Sequence, residues 1–284
     1  VCNRPLLEKQ LLMMKSCGIR DVIIVIGHLG YRVVDTLGDG SNLGLSIRYV
    51  EQTETLGIAH AVGKLEPFID SPFLLFLGDI YFDVVDLGGM IASVTSGGAN
   101  ANLASKIEPD PEMIKRNFAI IEGASGHVRQ VIEKPRHVSS QLKGCGMYMF
   151  DQHIFDAIRR TPRTAMRDEY EITDSIQIMI NDGHAVSHTP IVRYDMNLTV
   201  PEDLLKINLT ELGQRGESHL IGEGASVPDD VEIDNAVVGD GAIIAPGCRV
   251  TNSLVFAGSR VSSNIDHEII HGEQIIHCEG GDAG

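Results

Sequence analysis

Two aspartates follow strand-like apolar runs and are of the residue type that holds a divalent cation. Asp79 comes directly after FLLFLG, residues 73–78, and Asp195 follows the strand-like segment IVRY. A carboxylate beside an apolar core is costly unless something pairs with it. Two carboxylates at the ends of different strands can share one Mg²⁺, which takes few protein ligands and keeps its other positions for water and phosphate oxygens. The alternative is that each aspartate caps a nearby turn or helix, and spacing alone does not choose between the two.

Strand and helix signals alternate along the first two thirds of the chain. Leu7, Leu11 and Met14 have helical spacing, and the strand-like run DVIIVIG, residues 21–27, follows them. The alternation of strand and helix signals continues as far as the strand-like run before Asp79. It predicts an α/β fold with a mainly parallel sheet flanked by helices. Ligands of such sheets collect beyond the carboxyl ends of the strands, where both aspartates are expected to lie.

The pattern changes twice further along the chain. Residues 101–150 contain short strand-like segments separated by turn signals, which predict an added antiparallel layer. After about Gly213, apolar residues recur every six positions with a single five-residue step: Ile221, Val227, Ile233, Val238, Ile244, Val250 and Phe256. This hexapeptide repeat, with small residues at the turns, is typical of a parallel β-helix; an irregular loop-rich tail is the alternative. We therefore expect one domain at residues 1–213 and a β-helix domain with a tail at residues 214–284.

The composition disfavours several classes of protein. With 23 basic and 39 acidic residues the formal net charge is −16, and a nucleic-acid partner would need a basic face. The longest apolar runs are too short to cross a bilayer, and the first ten residues lack the features of a signal peptide. The five cysteines lie far apart without zinc-site spacing, which favours reduced thiols. We expect a cytoplasmic protein with neither a membrane nor a nucleic-acid partner.

Six motifs make the chain resemble the sugar-1-phosphate nucleotidylyltransferases, the group containing glucose-1-phosphate thymidylyl- and uridylyltransferases. In family order over residues 3–206 they are NRPLLEKQL, VEQTETLGIAHAV, FLGDIYF, VIEKP, RDEYEITD and RYDMNLTVPEDLL. The resemblance implies the nucleotide-diphospho-sugar transferase fold, which in many members is followed by a left-handed β-helix. It also implies the substrates and the reaction. A sugar-1-phosphate would attack the α-phosphorus of dTTP or UTP to give a nucleotide sugar and pyrophosphate. Glucose-1-phosphate is the first candidate for the sugar-1-phosphate.

The same resemblance assigns roles to individual residues. Gln52 would read the base edge, because a side-chain amide offers uracil or thymine a donor and an acceptor, and Gly57 would let the backbone approach the base. Asp79 and Asp195 would hold Mg²⁺, the implied cofactor. Asp79 would also be a nucleotide-binding residue. Lys134 would hold the sugar phosphate and, with the two aspartates, count as catalytic. The implied sugar-phosphate set is Ala119, Glu133, Lys134, Gly146, Arg167 and Glu169. For Lys134 and Arg167 the alternative is an ordinary surface charge.

Departures from the family pattern keep two rival functions open. The family's first strand and Gly-rich phosphate loop would precede Val1, so the 284-residue chain is expected to be inactive as it stands. Ala119 replaces a usual glycine, which leaves the sugar undecided, and Tyr194 replaces a common tryptophan. One rival is a non-catalytic regulatory or scaffolding relative. The other is a β-helix acyltransferase, which needs a histidine on a coil, and residues 221–264 contain none. We also expect a homo-oligomer, because an exposed β-helix edge often becomes a subunit contact.

Overall fold

The computed structural model describes residues 1–165 and 168–279. Its helices are α1 (Leu6–Ser16), α2 (Gly30–Leu37), α3 (Ile58–Gly63), α4 (Leu87–Thr95), α5 (Pro111–Lys115), α6 (His153–Arg160), α7 (Ile172–Asn181) and α8 (Pro201–Arg215), with short 3₁₀ helices at Ser41–Leu43 and Glu66–Phe68. The longer strands are β1 (Asp21–Ile26), β2 (Ser46–Glu51), β3 (Phe73–Phe76), β4 (Ile80–Val84), β5 (Ala101–Ile107), β6 (Phe118–Glu122), β7 (Val128–Glu133), β8 (Leu142–Phe150), β9 (Val186–Thr189) and β10 (Val192–Asn197). Short strands follow: β11 (His219–Ile221), β12 (Glu232–Asp234), β13 (Ala236–Val238), β14 (Ile243–Ile244), β15 (Arg249–Thr251), β16 (Leu254–Val255), β17 (Arg260–Val261), β18 (Ile265–Asp266), β19 (Glu268–His271) and β20 (Gln274–His277).

Internal contacts divide the chain into two compact units. Unit 1 comprises residues 1–9, 78–81 and 196–284, and unit 2 comprises residues 10–77 and 82–195. The expected boundary between residues 213 and 214 stays a prediction, although unit 1 reaches back to residue 196 and includes the N-terminal segment. The physical reason for that extension is an apolar cluster within unit 1. In it, Leu205 and Leu212 of α8 pack with Cys2 and with Val237 and Leu254 of the short strands.

The largest sheet of unit 2 is mixed rather than mainly parallel. Its strand order is β7-β6-β8-β5-β9, with β3 also paired to β8. β8 runs antiparallel to β3, β5 and β6, whereas β5 and β9 are parallel. The predicted parallel sheet is therefore wrong here, and residues 101–150 belong to the main sheet instead of an added layer. The cause is β8, whose nine residues, buried except for the first, are long enough to serve three partner strands.

A parallel pair does form at the start of unit 2. β1 and β2 lie in register from Asp21↔Ser46 to Ile26↔Glu51, so both strands have their carboxyl ends at the same edge. The core of unit 2 lies between the mixed sheet and helices α3, α6 and α7, and is built around Leu103, Phe150 and Ile176. Helix α3, which follows β2 along the chain, contributes Ala59 and Val62 to this core.

The C-terminal part of unit 1 consists of three sheets of short strands. Their orders are β11-β13-β16-β19-β20, β12-β15-β18 and β14-β17, and all pairs are parallel except β19–β20. Partners on the earlier turns are 17 positions apart, as are the hydrogen-bonded side chains of Asn235 and Asn252, whereas partners on the last turn, such as Val250↔Ile265, are 15 apart. The offset of 17 positions also separates the strand partners Glu232↔Arg249. The five-residue step seen in the sequence accounts for this offset, which is one residue shorter than three hexapeptides.

Two members of the predicted apolar set lie outside the apolar core of these three sheets, which includes Val238, Ile244 and Val250. Val238 pairs with Val255, which is fully buried, so Val255 takes the inside position predicted for Phe256. Phe256 packs instead with the cluster around α8. Ile221 is 43% exposed, because it lies on the first strand of its sheet and no earlier turn covers it. Val238 and its partner Val255 are 17 positions apart. Counting three hexapeptides, or 18 positions, from Val238 leads to Phe256, which is one residue too far.

A buried polar cluster within unit 1 links α1, β4 and α8. The Glu211 carboxylate accepts hydrogen bonds from the Tyr81 hydroxyl at 2.6 Å and from Arg215 Nε at 2.9 Å, and it forms an ion pair with Lys9. Burial acts to raise the pKa of Glu211, but the hydrogen bonds from Lys9, Tyr81 and Arg215 outweigh it and hold the pKa at about 2. In the part of the chain that the structure describes, no helix is long and apolar enough to span a membrane.

Candidate functional site

The segment after β2 begins at Gln52, the residue expected to read the base. Its backbone N–H donates to Ile26 O at 2.7 Å, which continues the β1–β2 ladder by one residue. The half-buried side chain places Nε2 3.2 Å from His60 Nδ1 on α3. His60 in turn stacks on Tyr170, with ring centroids 6.2 Å apart. The Gln52 amide is therefore held in position from one side at the carboxyl end of a parallel strand.

Gly57 joins the predicted base segment to the predicted sugar segment. Its φ is +99°, and an added Cβ would lie 2.5 Å from the Tyr170 carbonyl oxygen. Around it, Tyr170 N–H donates to Leu56 O at 2.7 Å and Ala59 N–H donates to Tyr170 O at 3.0 Å. Glycine is required here by the Tyr170 backbone, since any side chain would break this junction. A contact between Gly57 and a base stays a prediction.

The predicted sugar-phosphate residues at the end of β7 lie beside α7. Glu133 is half-buried, and its Oε2 accepts a hydrogen bond from Thr173 Oγ1 at 3.3 Å. The next residue, Lys134, is exposed and has a φ of +41°. Its backbone N–H donates to Asn117 O at 2.8 Å, which holds it in this left-handed conformation. A lysine at positive φ is strained, and glycine would adopt this backbone conformation at a lower cost in free energy. The chain nevertheless has a cationic side chain at this position.

Ala119 and Gly146 lie on strands of the mixed sheet and are buried. Ala119 of β6 pairs with Lys143 of β8. Gly146 has a φ of +68° and occupies an irregularity in the β5–β8 pairing, where the register shifts between Leu103 and Ser105. Its carbonyl accepts the Leu77 N–H at 3.0 Å, next to the turn that carries Asp79 along the chain. A direct contact of either residue with a sugar stays a prediction.

The remaining predicted sugar-side residues lie between α6 and α7. Glu169 is half-buried, and its carbonyl accepts both the N–H and the hydroxyl of Thr164, at 2.9 and 3.1 Å. These bonds fix Glu169 relative to Thr164, directly before Tyr170. The prediction for Arg167 falls outside the residues that the structure describes.

Asp79 lies in the turn between β3 and β4 and is exposed. Its carbonyl accepts the Leu198 N–H at 2.7 Å within unit 1. At the other end of the β4–β10 pair, within unit 2, Val85 N–H donates to Ile191 O at 2.9 Å. The backbone at Asp79 is thus tied down while its carboxylate faces solvent.

Asp195 on β10 has the opposite environment. Both of its carboxylate oxygens accept hydrogen bonds from Lys143 Nζ, each at 2.7 Å. Each of the two side chains is only 1% exposed. Burial, followed by the negative charge of Asp195, raises the pKa of the neighbouring Cys145 thiol well above its ordinary value. Asp195 is therefore the carboxylate of a closed ion pair in the interior of unit 2.

Asp79 offers a magnesium ion an accessible carboxylate, whereas Asp195 as it stands does not. An exposed carboxylate on a fixed backbone is a suitable hard oxygen ligand. At Asp195 an ammonium group already contacts both oxygens, and a second cation would have to enter a closed interior against its repulsion. Among the described residues, no cluster of three or more His, Cys, Asp or Glu side chains is arranged to hold a metal.

Four further residues contact or neighbour the predicted site residues but do not belong to the predicted set. Lys143 was overlooked although a lysine inside the strand LKGCGMYMF, residues 142–150, must be paired if that strand is buried. His60 and Tyr170 carry no signal beyond lying within two of the motifs. Tyr148 lies in the core of the mixed sheet, where burial and then the charge of Glu133 raise the pKa of its hydroxyl.

Comparison with known proteins identifies the family. The profile of a family described as Nucleotidyl transferase matches residues 1–196. A glucose-1-phosphate thymidylyltransferase of Streptomyces griseus is 34% identical over 90% of this chain and 73% of its own length. The low-salt glycan biosynthesis nucleotidyltransferase Agl11 of Haloferax volcanii is 34% identical over 84% of this chain. The matched region spans only 64% of that relative's own length, which is less than two thirds.

A solved structure agrees with these sequence matches. It is a protein of Bacillus anthracis described as a glucose-1-phosphate thymidylyltransferase, in complex with a sucrose. The two structures superpose with a TM-score of 0.64 at 25% identity, over 72% of this chain and 82% of the other. The family profile covers more than half of the chain, and the Streptomyces relative matches across most of both proteins. The chain therefore belongs to the nucleotidyl transferase family.

Proposed function

We propose that the protein transfers a nucleotidyl group from dTTP or UTP to a sugar-1-phosphate, with glucose-1-phosphate as the first candidate. The products would be a nucleotide sugar and pyrophosphate. The names of the relatives support this class of reaction. The observation that carries the proposal is the junction of the base and sugar segments. Hydrogen bonds between Leu56, Ala59 and Tyr170 hold the two predicted substrate-binding segments together.

In this proposal the chain acts by positioning and by placing charge. Gln52 binds the pyrimidine edge, and Glu133 and Glu169 bind sugar hydroxyls. Lys134 holds the sugar phosphate, so that its oxygen faces the α-phosphorus. Such alignment of two bound reactants accounts for much of the rate of a displacement that needs no covalent intermediate.

Magnesium is the proposed cofactor, and Asp79 is the residue that would hold it. When bound, the ion would neutralise charge on the triphosphate, which matters for a chain whose formal net charge is −16. The exposure of the Asp79 carboxylate supports this role.

We propose that the C-terminal turns form a left-handed parallel β-helix whose role is assembly. Three sheets of parallel strands, with partners 17 positions apart on the earlier turns, support this. The hairpin β19–β20 covers the last turn, and β20 is then the outer strand of its sheet. An outer strand has unpaired backbone groups that a second copy of the chain can satisfy.

Binding and turnover test this function separately. Calorimetry on the 284-residue chain should show dTTP or UTP binding at least about tenfold more tightly than ATP or GTP. Pyrophosphate release by the protein, with each triphosphate and glucose-1-phosphate, tests the reaction itself. Equal affinity for all four triphosphates would contradict the assignment of the base segment.

One observation favours a second candidate, a non-catalytic relative with the same binding sites. Asp195, expected to serve the reaction, is closed off by Lys143. Such a relative would bind the pyrimidine triphosphate and glucose-1-phosphate without releasing pyrophosphate. The paired binding and release measurements therefore distinguish the two candidates.

A further inference from the structure

The ion pair between Lys143 and Asp195 belongs to a larger set of charges on the mixed sheet. Lys143 on β8 lies directly opposite Lys106 on β5. Directly opposed residues of neighbouring antiparallel strands have side chains on the same face, and like charges there repel. Lys106 forms its own ion pair with Glu108 at 3.0 Å. Two lysines thus share one face of the sheet, and each is matched by a different carboxylate.

Asp195 lies within the electrostatic reach of both lysines. Burial acts to lower the pKa of Lys106, but the hydrogen bond and charge of Glu108, with a further contribution from Asp195, raise it. Lys143 supplies the two direct hydrogen bonds to Asp195. In the described residues around this carboxylate, the positive charge that it requires is therefore already present as part of the protein.

We infer that Lys143 is the resident counter-ion of Asp195 and takes the place that a divalent metal would otherwise occupy at this carboxylate. The metal of the reaction would then be held by Asp79 and the triphosphate, without Asp195. This inference rests on the proposed function only in identifying Asp195 as an expected metal ligand. The ion pair itself is independent of any activity.

Binding of Mn²⁺, followed by electron paramagnetic resonance of the free ion, tests the inference on the 284-residue chain without turnover. Asp195→Asn should change the Mn²⁺ dissociation constant by less than about twofold, because this carboxylate is not a ligand while Lys143 is present. Lys143→Met should tighten binding by about tenfold or more, because it leaves a buried carboxylate that needs a cation. The double variant Lys143→Met with Asp195→Asn should return to the wild-type value.

Lys106→Met is the matched control, since it removes the same charge from the opposite strand but leaves Asp195 paired. It should change the dissociation constant by less than about twofold. A tenfold weakening by Asp195→Asn alone would overturn the inference. If Lys143→Met does tighten binding but the double variant retains the gain, the metal is bound elsewhere and the inference is also wrong.

A second measurement on the wild-type protein covers the case in which Lys143→Met does not fold. Reductive methylation with mass spectrometry reports which lysines are accessible. The exposed Lys134 should be modified fully, whereas Lys143 should stay unmodified with or without millimolar Mg²⁺. Modification of Lys143 that appears only with Mg²⁺ would show that the metal displaces it. Absence of pyrophosphate release would weaken the proposed function and leave these metal results unaffected.

Discussion

At the scale of single residues, the candidate site consists of side chains in contrasting environments. Asp79 is exposed and Asp195 is closed, although their sequence contexts led to the same prediction. Lys134 is exposed on a strained backbone, whereas Gln52 is half-buried and held by His60. Residues that belong to equivalent motifs therefore differ in side-chain burial and in backbone strain.

Base selection should depend on the Gln52 amide. Gln52→Ala leaves a pyrimidine base without its donor and acceptor, which should weaken dTTP or UTP binding by about 1–3 kcal/mol and leave ATP binding nearly unchanged. Calorimetry with each triphosphate measures this. Gln130→Ala, an exposed glutamine on β7, is the control and should have no effect. Equal weakening for pyrimidine and purine triphosphates would argue against base reading by Gln52.

Lys134 should contribute to binding at a cost to stability. Lys134→Gly removes the cation and relieves the positive φ, so glucose-1-phosphate should bind about tenfold more weakly while the free energy of unfolding rises by about 1 kcal/mol. Calorimetry and urea denaturation measure the two effects. Lys206→Ala, an exposed lysine on α8, should alter neither value by much. If sugar-phosphate binding survives in Lys134→Gly, its side chain is an ordinary surface charge.

At the scale of elements, the site depends on a close approach between the chain after β2 and the chain before α7. Gly57→Ala would place a methyl group against the Tyr170 carbonyl in addition to its positive φ, and should destabilise the protein by about 3 kcal/mol. Gly98 has a φ of +81° and open space around it, so Gly98→Ala should cost only about 1 kcal/mol. Urea denaturation of both variants separates the steric from the conformational part. Equal losses would mean that the contact with Tyr170 is unimportant.

The Glu211 cluster should make stability depend on pH. The pKa of Glu211 is about 2, below its ordinary value of 4.5. Because the folded-state pKa is depressed, this contribution is fully present above about pH 5 and is lost as the pH falls toward 2. With allowance for solvent screening it is on the order of 2 kcal/mol.

Glu211→Gln provides the check. Urea denaturation should show the variant to be less stable than the wild type by a constant amount from pH 7 to about pH 5, and this gap in the free energy of unfolding should narrow between pH 5 and pH 3. A gap that stays constant down to pH 3 would mean that the destabilisation has another origin.

At the scale of the whole molecule, the proposed assembly depends on the outer strand β20. Ile275 on this strand is 56% exposed. If a second copy pairs there, light scattering should give a mass above the 30.8 kDa of one chain, and Ile275→Lys should reduce it to one chain. Ile243→Lys changes a 38% exposed isoleucine on another sheet and should leave the mass unchanged. If the wild-type protein has the mass of one chain, the proposed assembly role of β20 is wrong.

The amino-acid sequence by itself determined the family, the order of the motifs and the local signals. Period and turn residues are properties of neighbouring positions, so α1, the individual strands β1 and β2 and the repeating C-terminal strands could be predicted from them. The five-residue step even anticipated a shortened turn, although counting six onward from Val238 selected Phe256 in place of Val255.

Only the tertiary structure decided which strands pair and which charges meet. The direction of pairing depends on β8, which lies far along the chain from β3 and β5, and no local pattern encodes such a partner. The same holds for Lys143 and Asp195, which are 52 positions apart. Each sequence segment contains a costly buried charge, but the free energy of that charge depends on its neighbour in space. The folded chain therefore established that Asp195 is paired with a lysine, where the sequence had suggested a metal.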